Sequence, residues 1–305
     1  YAGTCRYQHK LDYVAFTQRD ALRDYRLPPP PVGSAVAQSR MTGLQWDAAF
    51  GGSEQDWAYA LTATHDGGVC TAGRTASKGA GLEDAWLVRV ASDGRMLWNK
   101  TFGGPAIDRG RGIVELPDRG LVVAGATESS GAGEFDVWVF KVDAEGELLW
   151  DRQFGGAATD WASALVATRD GGVAVAAYTQ EESEGPYDFW VLKLDGEGTL
   201  QWQRRFGGKA TDWSNAITAT ADDGLVVVGH TESSGAGGAD FWVLKLDADG
   251  DLLWQRTFGG EKTDYASAVT TTRDGDLLVA GMTLSVGAGA FDGQIIKLTD
   301  SGDVV

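Results

Sequence analysis

The chain is poor in the residues that do covalent and metal chemistry. Its 305 residues include two cysteines, three histidines, three methionines and seven prolines. Two cysteines are too few for a disulfide framework. Cys5 and Cys70 either pair, which requires the N-terminal tail to reach an inner strand, or Cys70 is a small buried hydrophobe. No run of about 18 apolar residues exists to form a membrane-spanning helix, and no signal peptide is visible. The chain begins at Tyr1 rather than Met, which reads as a processed chain or a piece of a longer one. Basic side chains are also scarce. The net charge of −17 argues against nucleic acid and anionic membrane as partners. It leaves cations, basic groups and neutral surfaces, so a protein or a glycan is the expected ligand.

What the chain has in excess is glycine, 43 residues, and tryptophan, 12 residues. Both follow one rule. Phe-Gly-Gly begins at Phe50, Phe102, Phe154, Phe206 and Phe258, each 52 residues after the last. Trp46, Trp98, Trp150, Trp202 and Trp254 keep that spacing, and so do Asp56, Asp108, Asp160, Asp212 and Asp264. A period of this length is the mark of a repeat architecture.

Each period reads as four short strands. In the fourth repeat these are Trp213–Thr220 (A), Leu225–Thr231 (B), Phe241–Leu246 (C) and Leu252–Phe258 (D). Tight Asp-Gly joints such as Asp170-Gly171 and Asp249-Gly250 separate A from B and C from D. Four antiparallel strands per period and no helical pattern predict an all-β, five-bladed β-propeller over residues 42–305. The array opens with a lone D strand, Gly43–Phe50, and ends after a C strand, Gln294–Leu298. The expectation is twenty strands, with the N-terminal strand completing the last blade in a velcro closure that removes free edges. Small residues on strand A and the Trp and Phe of strands C and D suit a wedge narrow at its axis.

Residues 1–41 lie outside the repeat as an N-terminal extension. Tyr13–Leu27 is amphipathic enough for a short helix, and Pro28–Pro31 makes a stiff spacer. The extension is expected to dock on the ring, to bind a partner or to lead from an upstream domain; the propeller itself is expected to be monomeric.

Segments such as "KLDADGDLLWQRTFGG" resemble the tryptophan-bearing repeats of PQQ-like propellers. The whole unit is similar to the tandem DGG-x-VAG-x-T propeller repeats of exported bacterial and archaeal proteins. The resemblance covers Thr42–Val305 and implies an extracellular, periplasmic or cell-surface location. It does not imply a quinoprotein, because no quinone site is visible.

Strand direction places the start of A, the end of B, the start of C and the end of D on one face, the top. Two carboxylate rings lie there: Asp56, Asp108, Asp160, Asp212 and Asp264, and Asp84, Asp136, Asp188, Asp240 and Asp292. They line a cation-binding mouth, with calcium as the candidate ion, or each caps its own turn. Turn capping is the expected role, since a residue kept in every blade serves the blade. The informative positions are those that vary. Trp57, Arg109, Trp161, Trp213 and Tyr265 follow the strand A Asp; Arg111 stands two further on in the second blade; His230 ends a B strand. These seven form the candidate ligand rim, or their aromatics plug the gaps between blades. No nucleophile elbow, phosphate loop or metal-ligand spacing is present. The expected function is a non-catalytic recognition or scaffold module without a cofactor; a lectin-like glycan binder is the alternative and a glycoside hydrolase the third reading.

Overall fold

The computed structural model describes residues 46–182 and 185–305. The chain divides into two compact units, Tyr1–Leu44 and Gln45–Val305, and the described residues belong to the second. The expected extension, its helix and spacer, and Cys5 lie outside them.

Five antiparallel sheets follow one another along the chain. The first is β1 (Asp56–Ala63), β2 (Val69–Thr75), β3 (Asp84–Val90) and β4 (Met96–Phe102). The second is β5 (Asp108–Glu115), β6 (Leu121–Thr127), β7 (Asp136–Val142) and β8 (Leu148–Phe154). The third is β9 (Asp160–Ala167), β10 (Val173–Gln180), β11 (Tyr187–Leu194) and β12 (Leu200–Phe206). The fourth is β13 (Asp212–Ala219), β14 (Leu225–Thr231), β15 (Asp240–Leu246) and β16 (Leu252–Phe258). The last holds β17 (Asp264–Thr271), β18 (Leu277–Thr283) and β19 (Asp292–Leu298). The all-β repeat architecture is thus as expected, and β13–β16 fall within one residue of the strands read from the sequence.

Cores form between sheets. Ile113 packs with Cys70, Ala72 and Leu87 of the preceding sheet, and Leu165 with Val137 and Val139. Cys70 is a free, fully buried thiol, and burial pushes it up to about 12, so it is inert at neutral pH. A second set of bonds ties neighbours at the hairpin end. The indoles of Trp98, Trp150, Trp202 and Trp254 donate to carbonyls in the next sheet's last hairpin, at Ala144, Gly196, Ala248 and Asp300 (2.9–3.2 Å). Buried cations do similar work. Lys141 bonds Asp118 of its own sheet at 2.5 Å and the Gly196 carbonyl of the next at 3.1 Å.

One expectation is met in part. Among the described residues nineteen strands form, not twenty, because Trp46–Phe50 joins no ladder. Trp46 and Phe50 pack instead on Trp86, Val88 and Val90 of the first sheet. The outer edge of β19 carries no strand, only the bridge of Val304 to Leu298 and the bond of the Val305 amide to the Lys297 carbonyl (3.0 Å). The inner strands pack in series, β1 on β5, β5 on β9, β9 on β13 and β13 on β17, without a matching return from β17 to β1.

Candidate recognition face

Every inner strand carries a bulge at the same repeat position. The ladder skips Tyr59, Arg111, Ser163, Asn215 and Ser267. A bulge leaves one residue unpaired and re-aims its side chain. In two sheets that side chain ties neighbouring inner strands. Ser163 Oγ donates to the Ser214 carbonyl and Asn215 Nδ2 to the Ala266 carbonyl, both at 2.7 Å.

In the first carboxylate ring, Oδ2 of each Asp is held by its own turn. Asp56 Oδ2 accepts from the Gly52 amide (2.6 Å) and Ser77 Oγ (2.8 Å), while Thr75 Oγ1 donates to its other oxygen. Asp108, Asp212 and Asp264 repeat the Oδ2 bonds with Gly104 and Ser129, Gly208 and Ser233, and Gly260 and Ser285. Oδ1 of Asp108, Asp160 and Asp212 is buried with no hydrogen-bond partner among the described residues. Asp160 keeps the Gly156 amide at 2.7 Å. Burial raises Asp264, but bonds from Thr283, Ser285 and the Gly260 amide outweigh it and hold the carboxyl below its usual range.

In the second ring Asp84, Asp136, Asp240 and Asp292 cap the turn before strand C, whereas Asp188 faces Arg205. Across the inter-sheet junctions this ring meets the first. A Cβ on Gly155 would lie under 3.0 Å from both Asp136 Oδ1 and Asp160 Oδ2. Gly259 is pinched in the same way by Asp240 and Asp264. Burial, with the neighbouring Asp136, raises Asp160; burial, with Asp264, raises Asp240. Among the described residues no group of three or more His, Cys, Asp or Glu is placed to hold a metal ion.

The variable positions assemble as trios, one at each junction. The residue after the strand A Asp meets, on the preceding sheet, the end of B and the residue before the strand C Asp. Arg109 meets Glu83, its Nε at 2.6 Å from Oε2, and Arg74 pairs with Glu83 Oε1. Trp161 packs on Ala126 and Phe135 (4.8 Å between rings). Trp213 lies edge-on to Tyr178 (4.5 Å) and stacked on Tyr187 (5.4 Å). Tyr265 meets His230 at 4.5 Å.

Of the two readings the sequence leaves open, a ligand rim or plugs between blades, most of these aromatics pack as plugs. Trp161 and His230 are buried, at 2% and 7% exposed, and Trp213 and Tyr265 are half-buried. They are walls between sheets, because each is aimed at its neighbour's trio and not at solvent. Trp57 alone among the candidate aromatics is exposed, at 43%. Arg109 and Arg111 remain partly accessible. The sequence reading missed Glu83, Phe135, Tyr187 and Phe291, which occupy the position before the strand C Asp. Their variation against a fixed Asp was the available signal, and it tracks the residue they meet one repeat later.

No family model matches the chain. Over 206 residues it is 30% identical to the regulatory protein FlaEY of Caulobacter vibrioides. That match spans 58% of this chain and 20% of the relative, so the chain accounts for about a fifth of its length. A crystal structure of puromycin hydrolase superposes with a TM-score of 0.52 at 17% identity, covering 85% of this chain and 41% of that one. At that identity the likeness shows the fold, a repeated all-β array of propeller type, and nothing of activity.

Proposed function

We propose that the chain is a five-bladed ring that recognises a partner through its top face without catalysing a reaction. The carrying observation is how the repeat divides its residues. Fixed positions are spent inside blades, on turns and cores, whereas variable ones gather at the top of the junctions. There the first junction departs from all others, with Arg74 and Arg109 on the carboxylate of Glu83 and Arg111 against the rings of Tyr59 and Trp161. A binding site breaks symmetry, and this is where the symmetry breaks. The relative described as a regulatory protein supports the same class of function.

Ring closure is supported by what the two ends expose. Leu61 is 69% exposed, although its counterparts Ile113, Leu165 and Ile217 are each 9% or less. Ile295 is 74% exposed, although Leu87, Val139, Val191 and Val243 are fully buried. Trp57 and Phe291 are likewise exposed (43% and 42%) and would complete, with Met282, a fifth trio like that of Trp213. Burying each such side chain is worth about 1.5–3 kcal/mol. Trp46–Phe50 then serves as the fourth strand on the edge of β19.

A glycan array and a quantitative pull-down, each with wild type, Arg109→Ala and the hairpin-face control Arg95→Ala, test recognition. Arg109→Ala should weaken binding about tenfold or more, as an interface anchor does. Arg95→Ala should leave it intact. Equal effects from both faces would reject the top-face reading, and selective capture of glycans would favour the lectin alternative.

A further inference from the structure

Arg111 has no counter-ion among the described residues, and its surroundings are built to supply a ligand with one. It occupies the bulge of β5, where Ser163 and Asn215 elsewhere bond to the next inner strand. Arg111 instead lies against two rings, its Cζ 4.4 Å from the centroid of Tyr59 and 5.4 Å from that of Trp161. Its Nε is buried and meets no hydrogen-bond acceptor among the described residues. Glu83 is engaged by Arg74 and Arg109, and no ion pair joins it to Arg111. Arg74 and Arg109 thus share one carboxylate, and Arg111, on the same strand as Arg109, adds a third guanidinium, on a chain of net charge −17.

We propose that Arg111 anchors the carboxylate of a small ligand at the mouth of the axis, with Tyr59 beside it. A guanidinium held against aromatic faces keeps its N–H edge for an anion, and its planar fork matches a carboxylate in two parallel bonds. An unpaired, partly buried cation is costly in the free protein, so a ligand that neutralises it gains what the protein lacks. The acidic surface repels polyanions at long range, which selects for a ligand with one or two carboxylates over a phosphate polymer. The assignment rests on top-face recognition and names the chemistry that face selects.

Calorimetric titration with succinate, galacturonate and the neutral sugar galactose tests it, on wild type, Arg111→Lys and Arg111→Gln. Saturable binding of succinate, galacturonate or both is expected, with galactose inert. Binding of both makes the carboxylate alone the determinant, and binding of galacturonate only adds the sugar ring to it. Arg111→Gln should weaken binding about tenfold or more and Arg111→Lys by less. Arg111→Gln should keep or raise the melting temperature, because it removes an uncompensated charge; a lower one would mean that Arg111 only braces Tyr59 and Trp161. No binding of either acid, or binding indifferent to Arg111→Gln, overturns the assignment. If that occurs while Arg109→Ala still abolishes partner capture, top-face recognition stands without it.

Discussion

The indole of Trp46 donates to the carbonyl oxygen of Ser92 at 3.0 Å, the bond that Trp98 makes to Ala144 one repeat later at 2.9 Å. Trp46 thus sits where the outer strand of a preceding blade would place it. Gly94 has φ of +85° and no room for a side chain beside that indole, as Gly198 and Gly250 have none beside Trp150 and Trp202. The first sheet is prepared on this side for a neighbour, and the last sheet lacks an outer strand.

The glycine pair of each Phe-Gly-Gly separates two roles that one substitution apiece can distinguish. Gly155 is closed in by Asp136 and Asp160, whereas nothing lies within 4 Å of a Cβ on Gly156. In the other sheets the second glycine faces a serine, at Ser77, Ser129, Ser233 or Ser285, and the third sheet has Glu181 there. Gly155→Ala should destabilise by about 1–3 kcal/mol through overpacking against the carboxylates. Gly156→Ala should be nearly neutral. Denaturant melts of the pair measure the difference, and equal losses would show that backbone freedom, not the carboxylate pair, demands both glycines.

Removing divalent metal should not shift the melting temperature. One oxygen of each first-ring carboxylate already accepts from its own turn. Among the described residues no three acidic or other ligating side chains converge, whereas calcium takes about six to eight oxygens. A chelator-induced drop of several degrees, reversed by calcium, would mean that the ring binds metal after all.

His230 should make the fold sensitive to mild acid. Burial between Trp213 and Tyr265 lowers it from 6.5 to about 4, so the folded protein keeps it neutral. The unfolded chain takes up a proton below about pH 6.5 that the folded one refuses until about pH 4. Stability therefore falls as pH drops through that window, by up to about 1.4 kcal/mol per unit. The raised carboxyls of Asp160 and Asp240 act with the opposite sign but are common to both proteins in a comparison. His230→Phe should flatten the acid side of the melting profile relative to wild type; parallel profiles would contradict the buried neutral imidazole.

The strands were legible because a period of 52 exposes every turn and core position several times over. β13–β16 could be placed to within a residue, and the Asp of strand A was rightly expected in its own turn. The orientation of the rim was not legible. A single repeat shows that Trp213 follows Asp212, but its stacking on Tyr187 joins positions 26 residues apart on different sheets. Only comparison between repeats reveals that link: Arg109 has Glu83 where Trp161 has Phe135 and Trp213 has Tyr187. Arg111 stood out by its charge, yet nothing local marked it as the bulge residue.

Register supplies the most direct test of the closed ring. Trp86 lies opposite Thr101, Trp138 opposite Gln153, Trp190 opposite Arg205 and Trp242 opposite Thr257. In a closed ring the same pairing, one period onward, would set Gln294 opposite Ala49. A chain carrying Ala49→Cys and Gln294→Cys, with Cys5→Ser and Cys70→Ala to remove the native thiols, should oxidise to an intramolecular disulfide in a monomer and melt higher than its reduced form. Two free thiols after oxidation, or a bond formed only between copies, would contradict a ring closed by Trp46–Phe50.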